Sequence, residues 1–177
     1  MTMTYQELLE HNKKRTVKQL AFLTDDIDKA VRLWVDKLKV GPWTIYKFSS
    51  ETMKDFHVNG ELVTEPFEFE VALSDIGDTN IELMMPVKGP NIYGKFLATK
   101  GTGLHHFKEH ITDENMEGYI AELKEKGMDV IQSGWCGPDF HAYIDTEPVM
   151  GFNYELGNCP ETIDIPEEYI RYYPEKD

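Results

Sequence analysis

Residues 17–42 read "VKQLAFLTDDIDKAVRLWVDKLKVGP", and residues 104–127 read "LHHFKEHITDENMEGYIAELKEKG". In the first stretch, 17–24 has the β-branched and apolar content of a strand. In 26–39, Ile27, Ala30, Val31, Trp34 and Leu38 fall on one face of a helix that Gly41-Pro42 is expected to stop. The second stretch repeats the order: a strand from Leu104, then a helix over about 113–126 with Met116, Tyr119, Ile120 and Leu123 on one face and Gly127 as its stop. The two helix starts align, Thr24-Asp25-Asp26 against Thr112-Asp113. Both offer oxygens to free N–H groups and negative charge to the positive end of the helix dipole.

Each strand–helix pair is followed by further strands. After the first come about 42–49, 66–74 and 79–85; after the second come about 129–135, 139–145 and 151–156. The chain therefore reads as two tandem βαβββ modules, 17–85 and 104–157. Residues 86–103, rich in Gly and Pro, form the linker, with room for a short helix around Tyr93 to Thr99. The flanks are an N-terminal arm, 1–16, expected to be an amphipathic helix, and a C-terminal tail, 158–177, pinned by Tyr169, Tyr172 and Tyr173.

A chain of 177 residues with 41% hydrophobic content can bury a sizeable core. Its longest uninterrupted apolar run is Leu20 to Leu23, and the first fifteen residues lack a signal-peptide core, so the expected location is cytoplasmic. Two cysteines, Cys136 and Cys159, without CxxC spacing, point to free thiols rather than disulfides or a thiolate zinc site. A formal charge of −14 repels nucleic-acid backbones and anionic membranes, leaving a small molecule as the expected ligand. A homodimer through the flanks is a further expectation.

Strand alternation decides which side chains can converge. Ile81, Leu83 and Met85 make an apolar face that leaves Asn80, Glu82 and Met84 on the other; Phe152, Tyr154 and Leu156 likewise oppose Asn153 and Glu155. In 104–111, Leu104, His106, Lys108 and His110 share one face, and His105, Phe107, Glu109 and Ile111 the opposite one. Periodicity alone leaves open which of those two faces turns inward.

The segments "QLAFLTDDIDKAVRLWVDKLKVGP", "NIELMMP", "GTGLHHF" and "HAYIDTEPVMGFNYEL", in that order, resemble the vicinal oxygen chelate superfamily of glyoxalase I, methylmalonyl-CoA epimerase, extradiol dioxygenases and antibiotic-resistance proteins. The resemblance spans about 17–157. It implies an α+β fold in which the two modules form a cupped mixed sheet with helices on its outer face. It also implies a divalent metal held by one residue of each module's first strand and one of its last, here Gln19, Glu82, His106 and Glu155. The spacing agrees, since Gln19 precedes Asp26 by as many positions as His106 precedes Asp113. One imidazole, two carboxylates and an amide oxygen suit zinc, nickel, cobalt or manganese with positions open for substrate. The set is similar to that of glutamine-containing glyoxalase I, whereas epimerases of the family usually carry histidine in the position of Gln19. Without that histidine, the iron chemistry of extradiol dioxygenases is not expected.

Enzymes of this subset bind neighbouring substrate oxygens to the metal, which stabilises an enolate or enediolate while a carboxylate moves the proton on the adjacent carbon. Glu155 is the first choice for that base and Glu82 the second. Lys108, His110, His141 and Tyr143 are candidates for substrate contact, and His105 is read as a packing residue on the outer face. Each has a plainer alternative: a strand histidine is usually a hydrogen-bonded structural residue, and two glutamates among 32 acidic residues could be ordinary exposed acids. Three classes stay open. The first is a metal-dependent lyase or isomerase of glyoxalase I or epimerase type acting on a thioester, hemithioacetal or 2-oxo compound. The second is a metal-free binding or resistance protein using aromatic residues such as Trp43, Tyr46, Phe48, Phe69 and Phe140. The third is a metal-free isomerase of a hydrophobic ligand.

Overall fold

The structure is a computed structural model and describes residues 3–176; positions 1, 2 and 177, the extremes of the expected arm and tail, lie outside it. Strand β1, Val17–Leu23, buries alternate residues and leads into helix α1, Ile27–Leu33. Asp26 caps that helix by accepting the N–H of Lys29. The helix ends sooner than Gly41-Pro42: its last turn widens to a π-helical one over Trp34–Leu38, and Lys39, in the left-handed region at φ 59°, closes it. Strands β2, Trp43–Ser49, β5, Glu68–Ile76, and β6, Thr79–Lys88, complete the first half. After helix α2, Ile92–Lys100, the second half follows as β7, Gly103–His110, helix α3, Asp113–Glu125, β8, Val130–Cys136, β9, Asp139–Ile144, and β10, Asn153–Gly157. The segment before β1 carries a short exposed helix, Tyr5–Asn12, that buries none of its side chains. Arg15 beyond it anchors the chain by bonding to Glu109.

All strands of the described residues join one eleven-stranded sheet in which each half runs first strand, last strand, then outward: β1-β6-β5-β2 and β7-β10-β9-β8. Within a half the first and last strands are parallel, and the halves meet where β1 pairs antiparallel with β7. Apolar alternation then makes three cores. Ile27 and Val31 of α1 pack on Trp43, Ile45, Ile81 and Leu83 outside the first half. Met116 of α3 packs with Ile144, Tyr154 and Leu156 outside the second half. The third core lines the inside of the curl and includes Ala21, Phe48, Phe69, Met84, Tyr93 and Tyr143. Each fully buried large apolar side chain contributes about 1.5–3 kcal/mol, so the helices hold the halves while the inner core holds the curl.

Two elements fall outside the repeat. Residues 54–62 form a hairpin, β3, Lys54–Val58, and β4, Glu61–Leu62, turning at Asn59-Gly60, both at positive φ. The hairpin leaves the first half and pairs with β8, the far edge of the second. Phe56 of β3 nevertheless stacks on Phe67, just before β5, with ring centroids 4.2 Å apart. The curl therefore brings the two ends of the sheet together. At the other end β11, Ile170–Tyr173, pairs with β2, and Tyr169 donates to Glu51.

A bulge lies beside each first-strand metal candidate. The β1–β7 register slips between Val17/Gln19 and again between Ala21/Phe22, leaving Lys18 and His105 as the extra residues. The second slip breaks the alternation of β7, so His105 and His106 are both fully buried on the cup side. The expectation of an outward His105 is thus corrected: its ring packs against Tyr93, Phe96 and Tyr143.

Candidate metal centre

Two transverse rows of residues cross the four central strands. One runs Glu82, Ala21, His106, Asn153; the next runs Asn80, Gln19, Lys108, Glu155. All face the cup, because the opposite faces of β6 and β10 are committed to the helix-packed cores.

Glu82, His106 and Glu155 converge, with ligand atoms within 4.8 Å of one another. His106 Nε2 lies 3.1 Å from Glu82 Oε2 and 2.7 Å from Glu155 Oε2. The distances are those of ion pairs, and among the described residues none of the three buried atoms has a well-directed hydrogen-bond partner. One imidazole nitrogen and two carboxylate oxygens, buried and aimed at a shared volume, are what a cation needs. The donor set therefore fits a divalent ion. Gln19, nearly buried, gives its Nε2 to Asn80 Oδ1 at 3.1 Å, which leaves its Oε1 as the free end. On the other side of His106, Nδ1 meets His105 Nδ1 at 2.8 Å.

The two glutamates differ electrostatically. Burial would raise Glu155, but Lys108 and His106 overcome it and hold the carboxyl at about 2. Lys108 Nζ lies 3.3 Å from Glu155 Oε1 and 3.4 Å from Asp139 Oδ1; burial lowers the ammonium's pKa, and these carboxylates more than restore it. The lysine fits because residue 157 is glycine: a methyl there would fall 2.0 Å from Lys108 Cε. Glu82 lacks such a partner, and burial, only partly offset by His106, raises its pKa. Burial lowers His106, but Glu155 and Glu82 overcome it and push it up to about 9 in the absence of an ion. Burial holds His141 down at about 4 and keeps the Tyr143 phenol protonated far above neutrality.

A cavity of about 840 Å³ opens onto these groups, lined by Gln19, Glu82, Glu155, Lys108, His141 and Tyr143 among others. Its wall includes Tyr46, Phe48, Phe69, Val71 and Met84. Its exposed mouth carries Asp75, Asp78 and Glu161 against Lys18. His110 is not among the lining residues; it is half-buried at the end of β7, where its N–H is tied to the Thr16 carbonyl. Trp43 and Phe140 also lie apart from the cavity, in the cores outside the sheet. His105, Asn80, Asn153, Asp139 and Gly157 also shape the site, although neither periodicity nor the family resemblance assigns them a part in it. The one signal for any of them was the Asn-x-Glu spacing shared by Asn80/Glu82 and Asn153/Glu155.

Residues 18–142 match the family described as the Glyoxalase/Bleomycin resistance protein/Dioxygenase superfamily. No curated protein matches the sequence. Among solved structures, a hypothetical protein of Bacillus halodurans C-125 superposes with TM-score 0.59 at 21% identity, covering 86% of this chain and 99% of that one. Methylmalonyl-CoA epimerase of Mycobacterium tuberculosis gives TM-score 0.56 at 16% identity, with 82% and 89% covered. A Streptomyces coelicolor methylmalonyl-CoA epimerase variant in complex with 2-nitronate-propionyl-CoA gives 0.55 at 18% identity, with 85% and 98% covered. At such identities these structures share the fold. The family match covers most of the chain, which belongs to the Glyoxalase/Bleomycin resistance protein/Dioxygenase superfamily.

Proposed function

We propose that this protein is a metal-dependent lyase or isomerase that moves a proton on the carbon next to a carbonyl, in the manner of glyoxalase I or methylmalonyl-CoA epimerase. The observation that carries the reading is the convergence of three buried ligand atoms of Glu82, His106 and Glu155 beside a large cavity. Gln19 Oε1, Glu82, His106 Nε2 and Glu155 would hold zinc, nickel, cobalt or manganese. A divalent ion bound there supplies Lewis-acid polarisation of a substrate carbonyl.

The chain's own groups divide the remaining work. Glu155 has one oxygen engaged by Lys108 and is held strongly acidic, which makes it a good anionic ligand and a poor base. Glu82 keeps the larger opening, 8% exposed against 2%, and the raised pKa, so we place it ahead of Glu155 as the group that takes and returns the proton. Tyr143, protonated and edge-on to His106, is placed to donate to a substrate oxygen, and His141, neutral beside it, to accept from a hydroxyl. The aromatic and aliphatic wall excludes water from the reacting carbon.

The mouth bears on the substrate. Three carboxylates against one lysine repel a polyphosphate handle, which favours a small 2-oxo, hydroxycarbonyl or simple thioester compound over an acyl-CoA. The apolar wall supports a second reading, a binding protein for a hydrophobic metabolite. One experiment separates them: metal content of protein purified without chelator, with deuterium exchange from solvent into 2-oxo and thioester compounds on the same samples. Bound metal with exchange is expected. Protein that takes up none of the four metals and exchanges nothing would leave the binding reading standing.

A further inference from the structure

Both last strands carry Asn-x-Glu, Asn80-Ile81-Glu82 on β6 and Asn153-Tyr154-Glu155 on β10. In register Asn80 stands beside Gln19, and Asn153 beside His106. Each asparagine thus lies next to the other ligand candidate of its own half. We propose that Asn80 and Asn153 are paired positioning residues that fix which atom the first-strand ligands, Gln19 and His106, present to the ion. This inference rests on the metal reading above.

In the first half the polarity is set from the outside. Asp75 carboxylate can only accept, so Asn80 must turn its Nδ2 to it, as it does at 2.9 Å. That leaves Asn80 Oδ1 to accept from Gln19 Nε2 at 3.1 Å, and Gln19 Oε1 to face the site. Three residues from adjacent strands form a one-way chain of donors ending in a lone pair.

In the second half the chain runs through the bulge. For His106 Nε2 to ligate, the ring's proton sits on Nδ1 and is donated to His105 Nδ1, 2.8 Å away. His105 then carries its own proton on Nε2, 3.2 Å from the end of the Asn153 amide placed as Nδ2. An acceptor is needed there, and turning the amide over supplies it: Oδ1, buried and without a hydrogen-bond partner among the described residues, takes the place of Nδ2. Amide oxygen and nitrogen are distinguished only by such partners, and the donor chain assigns the oxygen to His105. The bulge thereby makes His105 the second-half counterpart of the Asn80 contact, inserted between asparagine and ligand.

The test uses substitutions that separate polarity from packing and from charge. In competition with a chromogenic chelator, Asn153→Leu and Asn80→Leu should each weaken zinc binding by about 10–100-fold, the range for lost outer-sphere partners of a metal site. Asn153→Asp, which can accept from His105 Nε2 but never donate, should stay close to wild-type affinity. Asn80→Asp should fall with Asn80→Leu, because it sets one carboxylate against Asp75. Opposite responses to the same added charge cannot come from electrostatic attraction of zinc alone. Leucine variants with wild-type affinity, or aspartate acting alike at both positions, would overturn the proposal. Histidine ¹⁵N spectra of zinc-free protein give a readout that does not depend on uptake of the ion. His105 should carry its proton on Nε2 in the wild type and in Asn153→Asp, and a proton on Nδ1 in both would equally sink it. A wild type that takes up no zinc but shows the expected tautomer would remove the metal reading and leave the positioning chain intact.

Discussion

Ala21 and Lys108 stand at equivalent positions of the two halves, each two residues beyond a first-strand ligand candidate and each in register with a last-strand glutamate, Glu82 and Glu155 respectively. The exchange continues one step along the last strand, where Met84 of the first half corresponds to Gly157 of the second. In one half a small residue faces a large one; in the other a long lysine lies over a residue with no side chain. Both arrangements fill similar space, but one is neutral and the other brings a buried cation to one glutamate of the pair. Two carboxylates that look alike in sequence thus acquire opposite tendencies, Glu155 toward a permanent anion and Glu82 toward a raised pKa. A repeat is a scaffold for such divergence, because a symmetric site cannot separate ligand from base.

The comparison can be broken most decisively at the ligands. His106→Ala should abolish stoichiometric zinc uptake, more than about 100-fold in affinity, whereas Gln19→Ala removes a neutral oxygen and should cost less, about 10-fold. Equal losses in a chelator competition would mean that the halves contribute alike. Next in size is Lys108→Met, which strands Glu155 and Asp139 without their cation. Removing one partner of a buried ion pair costs about 3–5 kcal/mol, measured by urea unfolding, and Glu155→Gln in the same chain should recover part of it. A fully additive double variant would show that Lys108 does not act through Glu155.

The histidine provides a pH test. His106 has a folded value of about 9, above the ordinary 6.5, so in metal-free protein its stabilising contribution is complete below pH 6.5 and lost as pH rises through 9. At about 1.4 kcal/mol per unit, the loss is on the order of 3 kcal/mol. Zinc-loaded protein should not show it, since a coordinated imidazole is already neutral. Zinc affinity should correspondingly climb with pH up to about 9 as the competing proton leaves. Melting curves of both forms from pH 6 to 10 decide this; parallel curves would mean that His106 is not charged in the metal-free site. Smaller again is Gly157→Ala. The added methyl must displace Lys108, and overpacking of this kind costs about 1–3 kcal/mol. The smallest effect is at the third histidine of the run: His110→Ala, outside the cavity, should leave zinc affinity unchanged.

Much of this was readable from local pattern. Helical and strand periods are set within one element, so α1, α3 and the strands of both halves lie close to where spacing put them, and Ile81/Leu83 against Asn80/Glu82 told the two faces of β6 apart. The Asn59-Gly60 turn carried a hairpin signal that alternation did not take up. Its partner strand, β8, lies more than seventy residues away at the opposite edge of the sheet, and nothing between Lys54 and Leu62 encodes that.

What the sequence by itself determined was therefore the repeat and the two helix-facing surfaces; the family resemblance singled out Gln19, Glu82, His106 and Glu155, of which Glu82, His106 and Glu155 converge. Only the tertiary structure decided how they differ. The bulge that turns His105 inward arises from the pairing of β7 with β1, the cation on Glu155 from a lysine that crosses to β10, and the room for it from a glycine on that neighbouring strand. Alternation is a property of one strand. Register, bulges and the charges facing a carboxylate are properties of two or more, and they appear only when the strands are laid side by side.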